Sequence, residues 1–194
     1  MKIILASKSG VRKKILEDNK IDCEVVVSNV DEDEVKSSLL SEGADPLSIS
    51  KNLAEIKSIK VSNKFPDRIV LGADSVISLN NELINKPKSR EDALKILKKL
   101  NNSKHFLISS VCISKNGAMM WNHTDKSELK MKNLSENHLL NYLAQIKTET
   151  LCAYGVYQVE AEGLELFDYI KGDLNSIMGL PINEIINYIK QISK

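Results

Sequence analysis

A chain of 194 residues, 42% hydrophobic and 27% charged, can bury a sizeable core as one domain or two tightly joined lobes, which excludes disorder and fibrous repeats. Lysine plus arginine (27) against aspartate plus glutamate (26) leaves a formal charge of +1. That balance lacks the basic excess of sequence-independent nucleic-acid binders, so DNA is not expected as a partner.

Ile3-Ile4-Leu5-Ala6 reads as a buried strand, followed by the polar turn Ser7-Lys8-Ser9-Gly10 and a helix from Val11 to Asn19 with Val11, Ile15 and Leu16 on one face. Glu24 to Ser28 reads as a second strand. Asp31-Glu32-Asp33-Glu34, with serines and glycine up to Gly43, reads as a mobile loop or a fraying helix. Asp45-Pro46 supplies an N-cap and a first-turn proline for a helix running to Asn63, striped by Ile49, Leu53, Ile56 and Val61. Ile69 to Ala73 is a buried strand expected to end in Asp74-Ser75. Val76 to Leu79, Asn80-Asn81 and Leu83-Ile84 follow as a hairpin.

Ser89 with Asp92 caps a helix that turns Ala93, Ile96, Leu97 and Leu100 inward. Asn116-Gly117 is a two-residue hairpin turn between His105 to Ser114 and Ala118 to Met131. Ser135 caps a helix to Ile146, Thr148 to Cys152 is expected to be mobile, and Leu164 to Ile170 reads as a strand. Pro181 starts a last helix with Ile182, Ile185, Ile186, Ile189 and Ile192 inward. Strands and helices alternate at both ends and hairpins fill the middle, so the fold class is α/β with a mixed sheet flanked by helices.

Chemistry can sit at three places. Ser7-Lys8-Ser9-Gly10 precedes a helix carrying Arg12, where free N–H groups, hydroxyls and a guanidinium suit a phosphate; an ordinary capped helix with a solvated basic face fits the same residues. Asp74, at the expected C-terminal end of a strand, can hold Mg²⁺ or take a proton from water, or can be a turn aspartate. Glu32 is a second candidate carboxylate within a run that also suits a solvated loop. Lys57 falls inside the apolar arc of its helix and must snorkel or meet an anion. Lys86 precedes Pro87 at the end of the hairpin, on a restricted backbone.

Other chemistries lack support. His105, His123 and His138 have no partner at zinc-ligand spacing, and there is no G-x-S-x-G. Cys23, Cys112 and Cys152 are an odd number outside any Cys-x-x-Cys, which suits a reducing cytoplasm. No apolar run approaches the roughly 20 residues that span a bilayer, so neither a membrane nor a signal peptide is expected.

Taken together, these segments resemble the Maf family of nucleoside triphosphate pyrophosphatases along nearly the whole chain. The motifs that carry the resemblance are Leu5-Ala6-Ser7-Lys8-Ser9-Gly10-Val11-Arg12, Val30-Asp31-Glu32, Leu53-Ala54-Glu55-Ile56-Lys57 and Gly72-Ala73-Asp74-Ser75. Asn85-Lys86-Pro87, Gly155 to Glu160, Gly172-Asp173 and Gly179-Leu180-Pro181 complete the series. The family's opening proline and first arginine are missing here, the latter replaced by Val11.

The resemblance implies one domain over residues 1–194, with two lobes around a nucleotide cleft as in inosine triphosphate pyrophosphatases. It implies cleavage of a nucleoside triphosphate to the monophosphate and pyrophosphate with a divalent cation, Mg²⁺ or Mn²⁺, by a cytoplasmic protein that is often a homodimer. Asp74 is then the general base and a metal ligand, Glu32 a metal ligand or second carboxylate, and Ser7, Ser9, Arg12, Lys57 and Lys86 are phosphate contacts. Pyrimidine-preferring members carry arginine, threonine and glutamine where this chain has Val11, Ser75 and Glu160, and the branch cleaving 7-methyl-GTP carries an apolar residue and a glutamate. A guanine nucleotide such as 7-methyl-GTP is therefore expected to be preferred over dTTP and UTP. The alternative from another class is a nucleotide-binding regulatory protein, linked to septum formation, without efficient hydrolysis.

Overall fold

Seven strands form one mixed sheet in the computed structural model, which describes residues 2–159 and 162–192. They are β1 (Ile3–Leu5), β2 (Cys23–Val25), β3 (Val70–Leu79), β4 (Glu82–Ile84), β5 (Lys104–Lys115), β6 (Ala118–Met131) and β7 (Phe167–Lys171). Their order is β2-β1-β3-β5-β6-β7, with β4 paired to β3. β1 runs parallel to β2 and β3, and every other pairing is antiparallel, as expected from the alternation at the N-terminal end and the hairpins in the middle. Asn80 and Asn81 (φ 51° and 65°) and Asn116 and Gly117 (φ 52° and 73°) make the two tight turns, which need left-handed backbone at both central positions.

The helices are α1 (Gly10–Asp18), α2 (Glu32–Ser41), α3 (Pro46–Ser62), α4 (Arg90–Leu100), α5 (Glu136–Ala144), α6 (Thr148–Tyr154), α7 (Leu174–Ile177) and α8 (Ile182–Ile192). Ser9, Asp31, Asp45, Ser89, Ser135 and Asp173 each cap a helix by accepting a backbone N–H with the side chain. Ile3, Leu5, Leu16, Leu71, Ile113 and Ile185 belong to one apolar core under β1 and β3. Leu97, Leu129, Tyr142, Leu143 and Phe167 belong to another toward β6 and β7, and Met178 packs against both.

Four expectations change. The acidic run is helical: Asp31 accepts the N–H of Glu34 at 3.0 Å, and Glu32, Asp33 and Glu34 occupy the first turn, where the helix dipole favours negative charge. Of the two readings, a mobile loop and a fraying helix, the chain forms the helix, because that position in the first turn suits acidic side chains. Thr148 to Tyr154 is also a helix, anchored by buried Leu151 and by Arg90, which donates to the carbonyls of Leu143 and Ile146 and to the Thr148 hydroxyl.

The strand expected from Leu164 starts at Phe167, because Glu162–Leu166 forms a 3₁₀ turn whose Gly163 lies against the backbone of Gln158. The fourth correction concerns Asp74. β3 continues unbroken from Val70 to Leu79, so Asp74 stands in mid-strand. Its neighbour β1 is much shorter, and the last parallel register pair is Leu5 with Leu71. Asp74 therefore lies beyond the C-terminal end of the parallel part of the sheet, beside the chain that leaves β1 toward Ser7, and keeps a ladder partner in Ser110 of β5.

Candidate active site

Beyond the end of β1 a cavity of about 540 Å³ opens, a volume typical of small-ligand sites. Ser7, Ser9 and Arg12 line it from the β1–α1 connection, Glu32 from α2, Lys57 from α3, Asp74 and Ser75 from β3, and Lys86 from the segment after β4. Val76, Val156, Tyr157, Val159, Ile177 and Met178 give it an apolar side.

Helix α3 reaches the floor because β3 has no side chain at Gly72. A Cβ there would stand 2.2 Å from the Ala54 carbonyl oxygen and 2.7 Å from the Ser58 nitrogen, so only glycine permits this approach. One turn along α3 from Ala54, and two residues along β3 from Gly72, Lys57 meets Asp74. The Lys57 ammonium donates to Asp74 Oδ1 at 2.7 Å and lies 2.7 Å from Glu32 Oε1, tying the two carboxylates together. Thus Lys57 does not snorkel; it meets two anions. Asp74 is only 4% exposed, and its second oxygen, Oδ2, has no hydrogen-bond partner among the described residues. Burial pushes the Glu32 carboxyl up, but Lys57, by charge and by hydrogen bond, together with Lys86 and Lys36, brings it below the usual carboxylate range.

Arg12 is the most constrained cation. Its Nε donates to the Gly179 carbonyl at 2.9 Å, Nη1 to Ser7 Oγ at 3.2 Å and to the Ala73 carbonyl at 3.0 Å, and Nη2 to Ser75 Oγ at 3.0 Å. Four of the five guanidinium N–H groups are thereby occupied within the protein. Burial lowers its affinity for the proton, against the pull of Asp74 and Glu32. Ser7 in turn accepts the N–H of Ser9 at 3.3 Å, and Ser9 caps α1 through the N–H of Arg12 at 3.4 Å, so the capped-helix reading of this segment describes a real feature.

Lys86 is exposed and donates to the Ala153 carbonyl of α6 at 2.9 Å. Desolvation in the cleft lowers its basicity, opposed by Glu32 and Asp74 and reinforced by Arg12 and Lys57. Of the residues expected to read a base, Val11 and Ser75 line the cavity, the latter held by Arg12 and by Ser109 Oγ at 2.9 Å. Glu160 lies outside the described residues. Sequence reasoning missed the Ala73, Ala153 and Gly179 carbonyls and the Ser109 hydroxyl. Only Gly72 carried a signal of its own, a glycine inside an apolar strand.

A mixed α/β sheet whose cleft gathers the carboxylates of Glu32 and Asp74 and the cations Lys8, Arg12, Lys36, Lys57 and Lys86 at the end of its parallel part has the charge pattern that suits a polyanionic ligand. The chain belongs to the Maf-like protein family, whose sequence model matches residues 2–192. It is 59% identical over 190 residues, 98% of this chain and 97% of the relative, to a protein of Pelagibacter ubique (strain HTCC1062) named nucleoside triphosphate pyrophosphatase. A protein of the same name from Ruegeria pomeroyi (strain ATCC 700808 / DSM 15171 / DSS-3) is 38% identical over 187 residues, 96% and 94% of the two chains. The 7-methyl-GTP pyrophosphatase of Rhizobium etli (strain ATCC 51251 / DSM 11541 / JCM 21823 / NBRC 15573 / CFN 42) is 34% identical over 191 residues, 98% and 96% of the two.

Proposed function

We propose that this chain is a nucleoside triphosphate pyrophosphatase, a single two-lobed domain that cleaves its substrate to the monophosphate and pyrophosphate with the help of a divalent cation. The observation that carries the reading is Asp74: a buried carboxylate with one oxygen held by Lys57 and the other without a hydrogen-bond partner among the described residues, in a cleft lined by Arg12, Lys57 and Lys86. Family membership and the names of the relatives point the same way.

In this reading the substrate's phosphates lie along Ser7, Ser9, Lys57 and Lys86, with the remaining Nη2–H of Arg12 turned to them. These donors face the oxygens on which charge grows as the α,β-anhydride breaks. Asp74 Oδ2 takes a proton from the attacking water, whose oxygen bonds to phosphorus while the bridging oxygen leaves with the other phosphoryl group. Mg²⁺ or Mn²⁺ fits the pair Glu32 and Asp74, since two carboxylates, one with an unpartnered buried oxygen, supply hard donors and substrate phosphates complete such sites. When bound, the cation neutralises charge on the phosphates.

Val11, Ser75 and Glu160 form the base-reading set. A carboxylate at Glu160 is acceptor-only and matches the adjacent N–H donors of guanine, where a glutamine would match the mixed edge of thymine or uracil. The cytoplasm and a homodimeric state complete the proposal.

Pyrophosphate release across a panel of nucleoside triphosphates, with and without Mg²⁺ or Mn²⁺, tests the activity. Metal-dependent release, with 7-methyl-GTP or another guanine nucleotide ahead of dTTP and UTP in kcat/KM, is expected. No release from any member of the panel would overturn the activity. A ranking led by dTTP and UTP, or one unmoved by Glu160→Gln, would overturn the base preference alone.

A further inference from the structure

We propose that Lys57 holds the place of the divalent cation in the nucleotide-free protein, so that Mg²⁺ or Mn²⁺ joins Glu32 and Asp74 only together with a nucleotide whose phosphates take over the lysine. This rests on the nucleotide-hydrolysing reading above and adds to it an order of binding.

The two acids are already neutralised within the protein. The ammonium of Lys57 is 2.7 Å from an oxygen of each, and Lys36 stands 3.8 Å from the other oxygen of Glu32. Two carboxylates and two ammonium groups balance before any metal arrives, and Arg12 lines the same cavity. A divalent cation added here would meet a surplus of positive charge and would compete with the lysine for the same oxygens.

A triphosphate reverses both conditions. It brings several negative charges, and it offers the Lys57 ammonium a new anionic partner within the same cleft. The lysine's four-carbon stem allows that turn, and Glu32, on the first turn of a helix with no buried residue, has room to follow. Asp74 Oδ2, buried and without a hydrogen-bond partner among the described residues, is engaged by no cation that would have to be displaced. Magnesium's reluctance to shed water fits such a site, because it is commonly held by one or two carboxylates plus substrate phosphates.

The test reads metal binding rather than turnover. Mn²⁺ is titrated into the protein without nucleotide, and binding is followed by electron paramagnetic resonance and calorimetry. Lys57→Met is expected to bind Mn²⁺ at least about tenfold more tightly than the wild type, equivalent to about 1.4 kcal/mol. Adding Asp74→Asn to that variant should abolish the gain. Lys57→Gln, which keeps a hydrogen-bonding head without the charge, should show the same tightening and stands in if the methionine variant fails to fold.

With a triphosphate analogue carrying a methylene group in place of the α,β-bridging oxygen, the wild type should acquire the site, measured against analogue and Mn²⁺ without protein. Equal Mn²⁺ affinity in wild type and folded Lys57 variants without nucleotide would overturn the proposal. So would a wild-type site, sensitive to Asp74→Asn, that fills equally well with and without the analogue. The nucleotide-free titrations do not depend on catalysis, so their failure leaves pyrophosphate release standing, and a failed release assay leaves them interpretable.

Discussion

Where β1 passes into α1, Arg12 commits four N–H groups to the Gly179 and Ala73 carbonyls and the Ser7 and Ser75 hydroxyls, whereas Lys86, after β4, reaches a single carbonyl, that of Ala153, and stays exposed. Both cations line one cavity. The first wall is built on the sheet, with Gly72 drawing α3 inward and Lys57 locking two carboxylates; the second is a loop and a short helix. In the proposed reaction the difference becomes a division of labour: Asp74 and Arg12 keep their geometry on the first wall, and Lys86 on the second, with fewer bonds to hold it, follows the departing phosphate.

The largest effect is expected at the fixed wall's centre. Asp74→Asn preserves shape and removes the proton acceptor, so turnover should fall at least ~10²-fold, the low end for loss of general acid–base catalysis. Near wild-type pyrophosphate release by this variant would remove Asp74 from the chemistry and with it the contrast between the walls.

The adaptable wall nevertheless rests on a buried support. His105, in β5, is fully buried, its Nε2 2.9 Å from the Tyr157 hydroxyl, and Tyr157 lines the cleft. Burial lowers its pKa from 6.5 to about 4 and raises that of the Tyr157 phenol. The imidazole is thus neutral when folded, and the unfolded chain binds the extra proton first. Its contribution is intact above about pH 6.5 and is lost as pH falls toward about 4, roughly 3 kcal/mol in all from about 1.36 kcal/mol per pH unit. Urea unfolding from pH 7.5 to 4 should show this extra acid sensitivity in the wild type relative to His105→Gln. Parallel pH profiles for the two proteins would refute it.

Gly72→Ala probes the fixed wall without touching a charge. The new methyl would press on the Ala54 carbonyl and the Ser58 nitrogen, backbone atoms that cannot rotate away, so α3 must shift and the Lys57 bridge must stretch. Overpacking of this kind costs about 1–3 kcal/mol. The melting temperature should drop by several degrees and turnover should fall with it, while a variant with unchanged melting and kinetics would show that α3 adapts freely.

Much of this was legible in the chain itself, for physical reasons that also mark where legibility stopped. Caps, two-residue turns and apolar stripes are local, and Ser89, Asp45, Asn116-Gly117 and the isoleucines of α8 behave as their spacing indicates. Lys57 in an apolar arc had either to snorkel or to meet an anion, and the choice was not legible, because the partner is set by how closely α3 approaches β3. The acidic run stayed open between loop and helix because the effect of its charge depends on where the helix starts, and Asp74 was expected at a strand end because strand length depends on β5, paired with β3 from Val70 to Ser78. The four bonds of Arg12 were invisible for a related reason: their acceptors include two backbone carbonyls, which every residue possesses.

The smallest effect is expected at Lys86, and it discriminates most finely between the walls. Its one side-chain hydrogen bond among the described residues is to the Ala153 carbonyl, and the residue is exposed, so removing the side chain opens no cavity in a core. Lys86→Ala should therefore melt within about a degree of the wild type, as surface substitutions usually fall within ±0.5 kcal/mol. A cation on a phosphate is worth about 1.5–3 kcal/mol, so kcat/KM should fall roughly tenfold or somewhat more. Arg12→Ala, by contrast, unties Ser7, Ala73, Ser75 and Gly179 at once and should lower both melting temperature and activity. Melting curves and steady-state kinetics on the two variants decide the matter. If Lys86→Ala melts as low as Arg12→Ala, the contact with Ala153 is structural and the second wall is as fixed as the first; if it melts like the wild type and loses activity, the adaptable cation is a ligand contact.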